Sequence, residues 1–248
     1  MATLVKETLG LTLPNVSTTT TNAKSPATVD TREIPESPAE NVERAGEVTP
    51  EKHREAQAME ARQDSAVTAQ DLIITSPYTE LSHQLHLSTL DIQSALLARA
   101  LTAFEFATPS YATASYETAI KWPLVMERLR DLCAEEGHTW SKQTFYAVAF
   151  FSKLQEGVDR DLLYQLDKES HREAVESGGL LMYYFGSPNE ERRNLATCMW
   201  RSEKDAKLGG TGPWHKRARL EARNLYETIE FKRMDFIIED GVSGYSIE

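Results

Sequence analysis

Between residues 143 and 239 the hydrophobic period switches from about two to about 3.6 and back, in the order β-α-β-β-α-β. Gln143–Ser152 predicts a first strand that is apolar on both sides. Phe145, Ala147, Ala149 and Phe151 share one face, and Tyr146, Val148 and Phe150 share the other. A half-buried strand alternates apolar with polar, so this sheet needs cover on both faces. The first helix spans Arg160 to Ser177 and stops at Gly178-Gly179, with Leu162, Leu163, Leu166, Ser170 and Ala174 in one stripe. Leu180–Phe185 is strand two, Gly186–Arg193 a polar hairpin connection and Asn194–Trp200 strand three. The second helix follows Gly209-Gly-Thr-Gly-Pro213, with Pro213 in its first turn. Trp214, Ala218, Leu225 and Ile229 form its buried stripe, bordered by His215, Ala222 and Tyr226. Phe231–Ile238 is strand four. The pattern is α+β: a ferredoxin-like βαββαβ core with an antiparallel sheet over residues 143–240, followed by a C-terminal tail, 241–248. The helices of such a unit cover only one face, so something else covers the second.

Residues 71–142 read as a helical extension that packs on the core. Leu72–Pro77 suits a short edge strand closed by proline. From Ser88 to Phe104 a capping hydroxyl precedes a stripe of Ile92, Leu96, Leu97, Ala100, Leu101 and Phe104. A second helix begins near Trp122-Pro123, carries Val125, Met126, Leu129, Leu132 and Cys133 on one face, and stops at Gly137. Residues 107–116 form a loop between them that carries Tyr111 and Tyr116. Both helices are amphipathic, which makes them candidates to cover the open face of the sheet.

Composition separates the first 70 residues from the rest. The first aromatic residue is Tyr78, and residues 1–70 are rich in Thr, Ser, Pro, Glu and Ala. Such a segment cannot bury enough apolar surface to offset roughly 1–2 kcal/mol of backbone entropy per residue, which predicts a disordered acidic tail. The net charge of −11 is spread over both parts without a concentrated basic patch, which argues against a general nucleic-acid binder. The basic cluster Trp214–Arg219 has helical spacing and reads as a solvated helix face. Cys133 and Cys198 form no CxxC pair and suggest free thiols in a reducing compartment. No apolar run approaches the ~20 residues of a membrane span, and the N-terminus lacks a secretory h-region, so a cytoplasmic or nuclear location is expected.

Seven side chains are candidates for chemistry or binding. Asp167 lies one helical turn before His171, the spacing at which a carboxylate can hold an imidazole as a general base. His215 stands at the start of the second helix, where the helix N-terminus favours an anion. Tyr146, Tyr183, Trp200 and Tyr226 lie on or beside the sheet and would line a pocket for a flat apolar ligand. Each has a bland alternative as a surface hydrogen bond or a core residue. Spacing defines no metal site, and the cofactor is unknown; a haem-ligand role for either histidine is the weaker option. Gly209–Gly212 lacks the spacing of a phosphate-binding loop.

The passage Leu195–Ala206, a strand ending in Trp200 followed by Arg201-Ser202 and a helix start, resembles the third strand and turn of the dimeric α+β barrel superfamily. That group includes antibiotic-biosynthesis-type monooxygenases and haem-degrading enzymes. Leu166–Ala174, Ser177–Gly186, and Asn194–Ala206 with the downstream Gly212-Pro213-Trp214-His215 more closely resemble a fungal family of uncharacterised proteins, over roughly residues 85–238. The wider resemblance implies a fold and a homodimer whose paired sheets enclose a cavity, without carrying over a reaction. Three readings stay open. The favoured one is a dimeric-barrel protein that binds a small apolar ligand or a partner without catalysis. The second is a cofactor-free or haem-dependent monooxygenase or isomerase-like enzyme using His171 or His215 as base. The third is a monomeric interaction protein whose sheet is capped by residues 89–136.

Overall fold

A computed structural model describes residues 71–248; the expected disordered tail, 1–70, lies outside the described residues. The elements in chain order are β1 (Leu72–Ile73), β2 (Leu85–His86), α1 (Ile92–Ala100), α2 (Tyr116–Ala119), α3 (Trp122–Glu135), β3 (Gln143–Leu154), α4 (Arg160–Ser177), β4 (Leu180–Phe185), β5 (Arg193–Trp200), α5 (Glu203–Gly209), α6 (Pro213–Leu225), β6 (Tyr226–Ile238) and β7 (Tyr245–Ile247). The main sheet has the order β4-β5-β3-β6-β7, and every neighbouring pair is antiparallel. Its first four strands have the ferredoxin-like arrangement that the alternating pattern predicts.

β3 is the central strand because its aromatic and β-branched residues suit a position paired on both edges. Ala147 stands between Met199 of β5 and Met234 of β6, and Val148 between Cys198 and Arg233. A bulge at Leu181, between the pairs Leu180–Trp200 and Met182–Met199, shifts the alternation of β4. Leu180, Tyr183 and Phe185 can therefore face the same side of the sheet.

α4 and α6 cover the face that carries Val148, Phe150 and Cys198. Asp159 caps α4 by accepting from the Leu162 N–H at 2.9 Å, and Gly178 and Gly179 end it with φ of 81° and 76°. A side chain at Gly179 would also collide with Asp205.

The N-terminal helices cover the opposite face, which carries Phe145, Ala147, Thr197, Met199, Tyr184 and Phe236. Trp122 at the start of α3 packs on Phe236 with ring centroids 4.7 Å apart. Phe104 packs on Tyr184 at 5.2 Å, and the Tyr116 hydroxyl bonds the Thr197 hydroxyl at 2.7 Å. Trp122, Tyr116, Phe145 and Phe236 are essentially inaccessible to water. Full burial of an apolar side chain of this kind is worth about 1.5–3 kcal/mol, so the contact is a second half of the hydrophobic core.

Three boundaries differ from the sequence expectation. α1 begins at Ile92, because Asp91 rather than Ser88 caps it, accepting from the Ser94 N–H at 3.0 Å; Ile92 is consequently solvent-exposed. Strand four begins at Tyr226 rather than Phe231, so Tyr226 and Ile229 belong to a strand and not to the stripe of the second helix. Pairing with nearly the whole length of β3 overrides the helical spacing of Leu225 and Ile229. Within 241–248, β7 adds a fifth strand beside Phe236–Ile238.

Candidate functional site

A cavity of about 520 Å³ lies between α4, α6 and the sheet. Its wall is mainly apolar, with Phe150, Leu163, Leu166, Ala196, Ile229 and Phe231 among the lining residues. Asp167, His171, Tyr183, Trp200, His215 and Tyr226 reach the same cavity from three strands and two helices. Tyr146, expected to share it, does not line it. It is buried farther along β3, opposite Trp200 and Asp235.

The expected pairing of Asp167 with His171 is replaced by two separate contacts. Asp167 accepts hydrogen bonds from the hydroxyls of Tyr78 and Tyr183. Burial pushes its carboxyl above the usual range, while the two phenol donors and the nearby His215 pull it back only in part. Burial and the Asp167 charge push both phenols up. His171 Nδ1 lies 2.9 Å from His83 Nδ1, with both residues buried. Burial, reinforced by His83 and His215, lowers the pKa of His171 to about 3. Burial also lowers that of His83. Two imidazoles can share this bond only if one Nδ1 carries the proton and the other accepts it.

Tyr78 and His83 come from the strap between β1 and β2. That strap runs beside β4, where the Tyr183 N–H donates to the Thr75 carbonyl at 3.0 Å, and its turn at Leu81–His83 packs on α4. Neither residue stands out by periodicity. The one available hint is that Tyr78 is the first aromatic residue after a long polar segment.

The carboxylate that orients an imidazole is Glu173, which carries no signal in the sequence. Its side chain accepts from the Trp214 N–H at 2.7 Å and the His215 N–H at 3.1 Å, and contacts His215 Nδ1 at 3.0 Å. Burial alone would raise its carboxyl, but these backbone and imidazole contacts hold it below the usual range. An ionised Glu173 accepts from Nδ1–H, which fixes the tautomer and leaves Nε2 as the acceptor of the His215 ring. The expected anion preference at the start of this helix is met by the chain's own carboxylate. Gly212 makes room for it: a Cβ there would lie 2.2 Å from a Glu173 oxygen.

Two further features shape the pocket. The Trp200 indole N–H donates to Cys198 Sγ at 3.0 Å, and burial pushes the Cys198 thiol up to about 12. Ser170 lines the cavity, and its hydroxyl is a buried polar group with no hydrogen-bond partner among the described residues. Such an orphan costs about 1–3 kcal/mol. Among the described residues no group of three or more His, Cys, Asp or Glu side chains is placed to hold a metal ion. Among them, too, no helix is long and apolar enough to cross a membrane.

Likenesses to solved structures are weak over the whole chain. Protein SO0527 from Shewanella oneidensis shares 16% identity, covering 38% of this chain and 92% of that one, with a TM-score of 0.33. SnoaB, a cofactor-independent oxygenase from Streptomyces nogalater, shares 10% identity, covering 37% of this chain and 90% of that one, with a TM-score of 0.31. At these scores neither speaks to chemistry. The UPF0643 protein PB2B2.08 of Schizosaccharomyces pombe is 34% identical over 192 residues, 73% of this chain and 86% of the relative. The PB2B2.08-like family model matches residues 74–248, a span that holds both covers of the sheet and every cavity residue named above. The chain belongs to the PB2B2.08-like family.

Proposed function

We propose that this chain acts as a single copy and binds one small, largely apolar molecule in the cavity between α4, α6 and the sheet. The observation that carries the reading is the cavity itself. A volume of about 520 Å³ falls within the 300–1,000 Å³ usual for ligand sites, and apolar walls meet a few polar groups on α4 and α6. His171 and His215 on the cavity wall support a ligand that carries at least one polar atom.

The single-copy part rests on the second face of the sheet. A barrel-type dimer would pair two chains through that face, but α1, α2 and α3 cover it within the chain. Uncovering it would expose Trp122, Tyr116 and Phe236 to water.

The test is a fluorescence titration with 2-naphthol, a flat apolar ring system with one hydroxyl. One saturable site is expected in the wild type, and none in Ala196→Phe, which places a ring in the cavity. Equal binding by both proteins would overturn the proposal.

A further inference from the structure

Resting on that binding reading, we infer that the cavity is a proton-transfer site for an apolar, enolisable ketone. His215 Nε2 serves as the base, and the Tyr183 hydroxyl stabilises the oxygen that gains charge.

Two halves of such a site converge on the same cavity from different elements. On α6, His215 lines the cavity with its Nδ1 held at 3.0 Å by Glu173. Glu173 is itself fixed by two backbone N–H groups at the start of α6, so the ring has one tautomer and one orientation. A neutral imidazole held this way offers Nε2 as an acceptor. From β4, Tyr183 lines the cavity and is bonded to Asp167, which Tyr78 holds from the other side. Burial favours the protonated carboxyl of Asp167. Tyr183 donates in that contact while the carboxyl is ionised; a protonated Asp167 donates to the Tyr183 oxygen instead, which turns the phenol proton toward the cavity. That gives a neutral donor for a developing enolate beside a mainly apolar wall. A base on α6 and a hydroxyl donor on β4, both lining one cavity, are the pair that keto–enol chemistry needs.

The step balances without a co-reactant. Nε2 takes a proton from the carbon next to the carbonyl. The C–H electron pair becomes the C=C bond, and the carbonyl π pair moves to oxygen, where Tyr183 stabilises it. The imidazolium then returns a proton, to the same carbon for exchange or to another for isomerisation. Asp167 and Glu173 are positioning residues, because they act through Tyr183 and His215.

The probe is 2-tetralone, an apolar bicyclic ketone with acidic protons at C1. Its binding is measured by calorimetry, and its C1 exchange in deuterium oxide by proton NMR. The expected result is binding to the wild type with exchange faster than the protein-free rate. His215→Gln and Tyr183→Phe should each lower that rate by roughly 100-fold or more. Glu173→Gln should lower the rate at saturation while leaving 2-tetralone affinity within about twofold, a split that a merely structural role would not produce. Circular dichroism checks that each variant is folded. Binding to the wild type without accelerated exchange would overturn this inference and leave the binding reading intact. Absence of binding to the wild type would overturn both.

Discussion

Replacing Glu173 by glutamine removes a charge while nearly preserving a shape, which isolates the carboxylate's contribution to the α6 end of the cavity. In the native protein one carboxylate meets three N–H groups, at 2.7, 3.1 and 3.0 Å. A glutamine amide accepts through its single oxygen and turns its own donors toward at least one of those groups. Hydrogen bonds to a charged group are worth about 1.5–3 kcal/mol each, and an anion at a helix N-terminus adds about 0.3–1 kcal/mol. The contacts share one side chain and are not additive, so a total loss of roughly 2–4 kcal/mol is expected at pH 7. For a domain of this size that lowers Tm by roughly 5–15 °C. The effect is pH-dependent with a definite sign. The folded-state pKa of Glu173 is lowered, so its stabilisation is present above the ordinary glutamate value of about 4.3. It is lost as pH falls through the lower folded-state value. Thermal unfolding of wild type and Glu173→Gln at pH 7 and pH 3 therefore shows a wide gap that narrows in acid. Equal Tm values at pH 7, or a gap of unchanged size at pH 3, would refute the reasoning.

Other expectations follow from the two covers and the buried site. Tyr116→Phe strands the Thr197 hydroxyl in the core and should cost about 1–3 kcal/mol in urea unfolding; Tyr116→Phe with Thr197→Val should recover part of that loss, and strictly additive losses would count against the contact. Trp122→Ala opens a cavity between α3 and Phe236 and should cost about 3–5 kcal/mol by the same measurement, whereas a loss under ~1 kcal/mol would mean that the cover is not part of the core. The His83–His171 pair is neutral when folded, with both pKa values lowered, so stability should decline as pH drops below the ordinary value of 6.5 and go on declining toward about 3. The double substitution His83→Phe with His171→Phe should flatten that slope, and an unchanged slope would contradict the placement. Burial raises both thiols, so Cys133 and Cys198 should react with Ellman's reagent at pH 8 only on unfolding. Fast labelling of Cys198 in the native protein would show that the region around Trp200 is open.

The strands and long helices of the core are legible because each repeats its pattern several times. Gln143–Phe151 is especially informative: apolar residues on both faces require a second cover, and α1–α3 supply it. The start of strand four is not legible, since Leu225 and Ile229 fit helical spacing and only the length of β3 shows that Tyr226 onward is paired. Tyr183, Trp200, Tyr226, His171 and His215 can be picked out by type and position, but the same criteria also select Tyr146, which does not line the cavity. The partners of these residues cannot be picked out in that way. His83 and His171 are 88 positions apart, Tyr78 and Asp167 are 89 apart, and no local period links them. Glu173 is invisible for a different reason: an acidic residue on a helix normally faces water, and only the approach of the α6 N-terminus gives it a partner.

Native mass spectrometry of the full-length protein with added 2-naphthol tests the central claim most directly, because it reads copy number and occupancy together. The expected spectrum is a monomer carrying one 2-naphthol, with the bound mass absent from Ala196→Phe. A dimer as the main species, or a bound mass that persists when the cavity is filled, would contradict the proposed single-copy pocket protein.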